Sequence, residues 1–303
     1  MSVATDAAGS RWMPAVFIPV WSTGFIVARY AAPYSPPITF LSLRYAFSVL
    51  CFGLWILWSR PAWPRERAQW LHLSVTGVLM HAGYLGCVWA AVKAGMGAGT
   101  VALLVGLQPV LTAVWISASQ PAGGAAPRVS RQQWLGLVLG LAGLVLVVWH
   151  KLGAGEVGPW NFTLAVVALF SITAGTLYQK RHVVSCDVRT ANTVQLSAAL
   201  LVSLPVAWME PAHVVLHPHM IGSMVWSVLG LTLGGSSLFY ILIQRGAATQ
   251  VTSLLYLVPP CTALMAWVLF GEPLTPSMVL GMAMTALGVA MVLRPRARGV
   301  KTS

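Results

Sequence analysis

The chain alternates long apolar runs with short polar connections, and this pattern predicts its secondary structure. Ten runs approach the roughly 20 mostly apolar residues that an α-helix needs to cross about 30 Å of hydrocarbon. The runs are continuous, whereas a transmembrane β-strand would alternate apolar and polar residues. Proline and glycine occur in most connections, where they interrupt helices. The predicted spans cover residues 14–31, 36–58, 68–92, 98–118, 132–149, 161–180, 189–208, 221–244, 248–270 and 275–293.

Composition agrees with a membrane protein and excludes a soluble or a disordered one. Of the 303 residues, 57% are hydrophobic and 8% are charged, whereas soluble domains carry about 25% charged residues. Disordered chains, by contrast, are poor in apolar residues. The sequence therefore predicts an all-α integral membrane fold with ten transmembrane helices.

Basic residues are distributed unequally between the two sides of the membrane. The net charge is +12, but the charges stand in short clusters between apolar runs, which argues against a nucleic-acid partner. With the N-terminus in the cytoplasm, fourteen Lys and Arg residues fall on the cytoplasmic side, and Arg29, Lys93 and Lys151 fall on the other. This asymmetry predicts a multi-pass protein of the plasma (inner) membrane with both termini cytoplasmic.

The two halves of the chain resemble each other at an offset of about 150 residues. Pro109 of the fourth span corresponds to Pro259 of the ninth, and Arg44 of the second corresponds to Gln195 of the seventh. Chance similarity among apolar helices is the alternative explanation. Because each repeat holds five spans, an odd number, the second copy would be inverted in the membrane. The predicted organisation is a cytoplasmic tail (1–13), a first repeat (14–150), a linker (151–158), a second repeat (159–294) and a basic cytoplasmic tail (295–303).

A family resemblance rests on several of these segments. The stretch from Thr249 to Thr275, which ends Gly-Glu-Pro-Leu-Thr, is similar to the end of an EamA domain of the drug/metabolite transporter superfamily. The first half agrees in Trp21-Ser-Thr-Gly24 and in Arg44-Tyr45, but residues 120–128 form a Pro/Gly-rich loop where that turn would be repeated. The resemblance covers residues 14–293. It implies two inverted five-helix repeats and the export or exchange of small metabolites, commonly amino acids.

Charged side chains inside the predicted spans are scarce. Arg44 is the only basic residue deep within a span, about 12 Å from its outer end at about 1.5 Å per residue. It could pair with a substrate carboxylate in a cavity, or it could be a structural arginine that binds backbone carbonyls. The acidic residues lie in tails, connections or span ends, which argues against a carboxylate proton relay; they are Asp6, Glu66, Glu156, Asp187, Glu210 and Glu272.

His81 is the only histidine well inside a span. It could bind substrate, carry a coupling proton or form an interhelical hydrogen bond. Tyr84 is three residues further on and therefore on the same helical face. Other polar or amphipathic side chains within spans are further candidates for lining a substrate cavity: Trp21, Ser22, Gln108, Tyr178, Asn192, Gln195, Tyr240 and Tyr256.

Prolines interrupt two spans at corresponding positions. Each removes a backbone hydrogen bond, so Pro109, Pro259 and Pro260 are candidate hinges, with a plain helix kink as the alternative. Neither a metal nor another cofactor is expected. The four cysteines have no metal-ligand spacing, and Pro218 interrupts the one histidine cluster (His213, His217 and His219).

These observations favour a secondary transporter that works by alternating access between two inverted repeats. The expected substrates are amino acids or related zwitterionic or anionic compounds, which would be exported or exchanged. An intramembrane enzyme is disfavoured because neither G-x-S-x-G nor H-E-x-x-H occurs. A membrane scaffold or receptor is disfavoured because the loops and tails are short. The expected partners are the lipid bilayer and a small metabolite, and a homodimer stays open.

Overall fold

The computed structural model describes residues 6–118, 131–153, 155–211, 214–244 and 257–293. Every regular element within these ranges is a helix. The helices are α1 (Asp6–Ala31), α2 (Pro37–Ser59), α3 (Arg67–Lys93), α4 (Ala98–Val105), α5 (Gln108–Ala118), α6 (Arg131–Gly153), α7 (Pro159–His182), α8 (Val188–Met209), α9 (from Pro218 to Gln244), α10 (Val258–Phe270) and α11 (Pro276–Leu293).

The helices form ten membrane segments, as the sequence predicts. α4 and α5 together make the fourth span, because a turn at Gly106 and Leu107 separates them, and each other span contains one helix within the described residues. By length and composition, α2, α3, α7, α8 and α9 could each cross a membrane alone. α1 begins at Asp6, inside the segment predicted as a tail. Residues 248–256, the start of the ninth predicted span, lie outside the described residues.

The two five-helix halves have opposite orientations, because corresponding helices cross antiparallel. In the most extensive contact, Gly143 of α6 faces Gly281 of α11, while Gly136 faces Gly288 further along. The two helices therefore run in opposite directions. A Cβ on Gly143 would lie 2.5 Å from the carbonyl oxygen of Gly281, so a side chain there would force the helices apart. The predicted inverted repeat is confirmed.

Two helices at corresponding positions contain a π-helical segment. Val78–Leu85 lies in the middle of α3, and Ser227–Ser236 lies in the middle of α9. A π-helix pairs residues five apart, and such segments are frequent at functional sites. Hydropathy carries no signal for them, and the sequence predicted ordinary helices here. Their repetition in both halves is a second structural sign of the duplication.

Three carboxylates join elements at one end of the bundle, called here the acidic end. Glu210, which follows α8, accepts hydrogen bonds from the backbone N–H groups of Ile38 (3.1 Å) and Thr39 (2.7 Å) at the start of α2. Glu156 and Glu272 accept hydrogen bonds from backbone N–H groups at the start of α4. Helix N-termini leave N–H groups unpaired and attract negative charge, so these acids supply hydrogen-bond acceptors for the first N–H groups of α2 and α4.

The opposite end, called here the basic end, carries most of the described cations. At this end, neutral groups join the two halves of the protein. The Gln69 amide in α3 donates to the carbonyl oxygen of Val184 (2.6 Å) and accepts from the Val184 N–H (3.1 Å). The cations of this end are Arg60, Arg65, Arg67, Arg131, Lys180, Arg181 and Arg189.

Candidate functional site

A cavity lies between the two halves. α1, α2 and α3 line it from the first half, and α7, α8 and α9 line it from the second. Its polar wall contains Arg44, His81, Tyr84, Gln179, Asn192 and Gln195. Its aromatic wall contains Trp21, Phe25, Trp89, Phe239 and Tyr240.

Arg44 supplies positive charge to the cavity wall. Its side chain is buried, and its Nε donates to the Thr232 hydroxyl oxygen at 3.0 Å. The ion pairs among the described residues are Lys151–Glu156 and Arg189–Asp187. No carboxylate in the described part of the chain therefore balances the charge of Arg44. A buried cation without a counter-charge is costly, and at a cavity wall it attracts an anionic group.

The π-helical segment of α3 places His81 and Tyr84 against the cavity. The Tyr45 hydroxyl of α2 donates to the His81 carbonyl oxygen at 2.8 Å, and the rings of these two residues meet edge-on with centroids 6.1 Å apart. Arg44 is a charged neighbour of both His81 and Tyr84. The two predicted residues thus share one face of α3 with the cation close by.

Gln195 brings an amide to the same wall beside His81, with which its side chain forms a hydrogen bond. Its Nε2 is buried and has no hydrogen-bond partner in the described part of the chain. A close helix contact fixes its position, because a Cβ on Gly77 would lie 2.2 Å from the Gln195 carbonyl oxygen. Buried amide groups in proteins are normally hydrogen-bonded. The orphan donor therefore points to a ligand with an acceptor atom.

Two rings of the aromatic wall, Trp21 and Phe239, form a three-ring cluster with Phe17. The Trp21 centroid lies 5.0 Å from those of Phe17 and Phe239, whose rings stack on each other at 5.7 Å. Such rings offer a large apolar surface at a small loss of conformational entropy. Together with the polar wall they make an amphipathic cavity, lined by both charged and aromatic side chains.

A second, smaller cavity adjoins the first where the fourth span is broken. It shares Trp21 and Tyr84 with the main cavity, and it reaches Gln108 and Pro109 at the start of α5. The Gln108 amide donates to the Thr176 hydroxyl of α7 at 3.0 Å. The break precedes Pro109 by two residues, so the proline stands in the first turn of α5, where its missing N–H is tolerated.

The structure brings seven of the predicted site residues together around the main cavity. They are Trp21, Arg44, His81, Tyr84, Asn192, Gln195 and Tyr240.

The other predicted residues lie elsewhere. Ser22 points its hydroxyl at the Ile18 carbonyl oxygen within α1. Tyr178 lies near the basic end, where its hydroxyl bonds to the His72 ring at 2.8 Å. Tyr256 is outside the described residues. Pro259 and Pro260 lie in the first turn of α10, and their role as hinges stays a prediction.

Three polar residues at the site were not singled out from the sequence. Gln179 and Ser236 line the cavity, and Thr232 holds Arg44. Gln179 was detectable as a polar residue within the sixth predicted span. Ser236 and Thr232 carried no such signal, since hydroxyl groups are common in membrane helices and usually bond to their own backbone.

The histidine cluster of the acidic end serves packing. The His217 ring stacks on Tyr34 at 4.2 Å, and the His219 ring stacks on Tyr30 at 5.3 Å. His213 lies outside the described residues.

Asp187 lies just before α8. Arg189 hydrogen-bonds to Asp187 and holds the pKa of that carboxyl below its ordinary value.

Two inverted five-helix halves around a central cavity are the architecture of a secondary transporter. The chain belongs to the EamA-like transporter family, which matches residues 13–149 and 159–294. This is a family of multi-pass membrane transporters of small metabolites, not of enzymes. The resemblance noted in the sequence is confirmed.

Individual relatives are similar over almost their whole length. A "Probable amino-acid metabolite efflux pump" of Salmonella typhimurium is 24% identical, covering 89% of this chain and 90% of the relative. A protein of the same name in Escherichia coli is 24% identical with the same coverage. The Bacillus subtilis "Uncharacterized transporter YvbV" is 24% identical over 92% of this chain and 89% of its own. One solved structure has a TM-score of 0.68 at 16% identity, covering 94% of this chain and 97% of that one.

Proposed function

We propose that this protein exports or exchanges small metabolites that carry a carboxylate, such as amino acids and related zwitterions or anions. The observation that carries the proposal is Arg44, a buried cation on the cavity wall with no carboxylate partner in the described part of the chain. A guanidinium binds a carboxylate through two parallel N–H···O bonds. The names of the Salmonella and Escherichia relatives agree with such substrates.

The amphipathic cavity supports the same substrate class. A carboxylate at Arg44 would leave the rest of a small molecule against Trp21 and Phe239, while Nε2 of Gln195, which has no partner among the described residues, could donate to a second polar group. Alternating access would follow from rocking of the two inverted halves about the cavity. His81 stays a candidate for substrate contact or proton coupling, which a His81→Gln variant would test through the pH dependence of transport.

Both termini are proposed to lie in the cytoplasm of a plasma (inner) membrane. The basic end would then face the cytoplasm and the acidic end the outside, in keeping with the positive-inside rule. A C-terminal tag should be protected from protease in intact cells and cleaved after lysis. Cleavage in intact cells would overturn this orientation.

Counterflow in proteoliposomes tests the function. Vesicles loaded with one amino acid at a time should take up the labelled compound, and Arg44→Gln should reduce that uptake at least tenfold, as expected for removal of one partner of a buried charge pair. Arg65→Gln is the matched control, because Arg65 is exposed at the basic end. Equal uptake by Arg44→Gln and wild type would remove Arg44 from the site. Recovery of a chemically altered compound would overturn the proposal of a transporter.

A further inference from the structure

Thr232 is the only side chain in the described part of the chain that hydrogen-bonds to the Arg44 side chain, and the π-helical segment of α9 fixes its geometry. The Thr232 hydroxyl donates to the Ser227 carbonyl oxygen, five residues earlier, at 2.8 Å. Because its proton is used in that bond, the oxygen is left to accept from the Arg44 Nε at 3.0 Å. Both side chains are buried, with exposed fractions of 1% for Thr232 and 4% for Arg44.

This contact determines how Arg44 can meet an anion. A guanidinium is a planar fork, and a bond at Nε fixes the plane of the fork and occupies one of its edges. The two terminal nitrogens then remain as a parallel pair of donors. That arrangement matches the two oxygens of a carboxylate. It does not match a carboxamide, which has one oxygen and an N–H₂ group that would face a donor.

The cation is not repeated in the other half. At the offset of 151 residues that pairs Arg44 with Gln195, Thr232 corresponds to His81, and a side-chain hydrogen bond joins His81 to Gln195. One side of the cavity therefore has a cation oriented by a hydroxyl, while the other has a neutral amide with a free donor. The asymmetry gives a bound molecule a defined direction, with its carboxylate on the side of α2 and α9.

We infer that Thr232 is a positioning residue that makes the cavity select carboxylates over carboxamides by orienting Arg44. The inference rests on the proposed function. It adds a specificity role for a residue that does not itself line the cavity.

The test compares leucine with leucinamide, which differ in the carboxylate alone. Affinity is measured on purified full-length protein by ligand-dependent thermal stabilisation, and leucine transport is measured by counterflow. Thr232→Val removes the hydroxyl at nearly constant volume. It should lower the leucine-to-leucinamide affinity ratio by about tenfold or more, the size expected for a hydrogen bond to a charged group. The KM for leucine should rise by a similar factor with little change in kcat.

Two variants separate positioning from folding. Thr232→Ser keeps the hydroxyl and should restore the ratio to within about twofold of wild type. Thr173→Val is the matched control, since Thr173 is equally buried but bonds only to the Leu169 carbonyl oxygen of its own helix. Its ratio should equal that of the wild type.

Each outcome has a distinct meaning. A wild-type protein that takes up no amino acid in the counterflow series, or that binds leucine and leucinamide equally well, contradicts the proposed function. If wild type discriminates and Arg44→Gln abolishes the discrimination, while Thr232→Val preserves it, the function stands and the positioning role is overturned. Equal losses for acid and amide in Thr232→Val, or no restoration by serine, would also overturn it.

Discussion

Glu210 offers the sharpest test of how the two halves are held together at the acidic end. Its carboxylate accepts three hydrogen bonds from the first turn of α2: from the Ile38 N–H, the Thr39 N–H and, at 2.9 Å, the Thr39 hydroxyl. Glu210 belongs to the second half and α2 to the first. Any motion that separates the halves at this end must break these bonds.

The structure allows the effect of Glu210→Gln to be estimated. The amide keeps one acceptor oxygen, which can take the place of Oε2, so the bond to Oε1 is lost along with the negative charge at a helix N-terminus. With about 1 kcal/mol for that bond and about 1 kcal/mol for the charge, the closed form at the acidic end should lose about 2 kcal/mol, or about 30-fold in the opening equilibrium.

Cysteine accessibility reports that equilibrium. Val88→Cys places a thiol in the cavity wall, in a background where the four native cysteines are replaced by serine. The alkylation rate of this thiol by a membrane-impermeant maleimide, added from the side of the acidic end, should rise about 30-fold in Glu210→Gln, provided that opening is rare in wild type.

Glu66→Gln is the matched control for this prediction. Glu66 precedes α3 at the other end of the bundle, and its side chain makes no capping hydrogen bond. The control should leave the alkylation rate unchanged. A Glu210→Gln rate equal to that of wild type, or an equal rise in the control, would refute the idea that this carboxylate resists opening.

Three further predictions concern packing and charge. Gly143→Val should destabilise the protein by about 2 kcal/mol through overpacking, whereas Gly53→Ala, with nothing within 4 Å of the added Cβ, should change unfolding by less than about 0.5 kcal/mol; unfolding in detergent measures both. Tyr178→Phe removes a hydroxyl that bonds across the halves and should raise alkylation of the same thiol from the basic end about fivefold. Arg189 lowers the pKa of Asp187, and the resulting stabilisation is complete above the ordinary aspartate pKa and lost only as pH falls through the lowered one. The melting-temperature difference between wild type and Asp187→Asn should therefore stay constant between about pH 5 and about pH 8.

Hydropathy predicted the ten spans and the inverted repeat because burial in lipid imposes a simple rule on every span. Continuous apolar length identifies a helix, and an odd number of helices per repeat forces inversion. The same rule pointed to Arg44 and His81, since charged or titratable groups in a membrane must face the interior of the bundle.

Other features of the site depend on geometry that hydropathy does not encode. The π-helical segments differ from α-helix only in backbone pairing, so Thr232 looked like an ordinary helical threonine. Ser22 and Tyr178 have the right chemistry, but helix rotation and depth place them away from the cavity. Glu210 and Glu272 were noted only as acids near span ends. Their contacts with distant helix N-termini require the packed fold.

The unbalanced charge of Arg44 has a consequence for kinetics. If the empty protein closed around a cavity without water, it would enclose the Arg44 guanidinium without a counter-charge, which is unfavourable in a medium of low polarizability. A bound anion neutralises that charge before closure. We therefore expect the loaded protein to reorient faster than the empty one, so that flux in one direction is accelerated by substrate waiting on the opposite side.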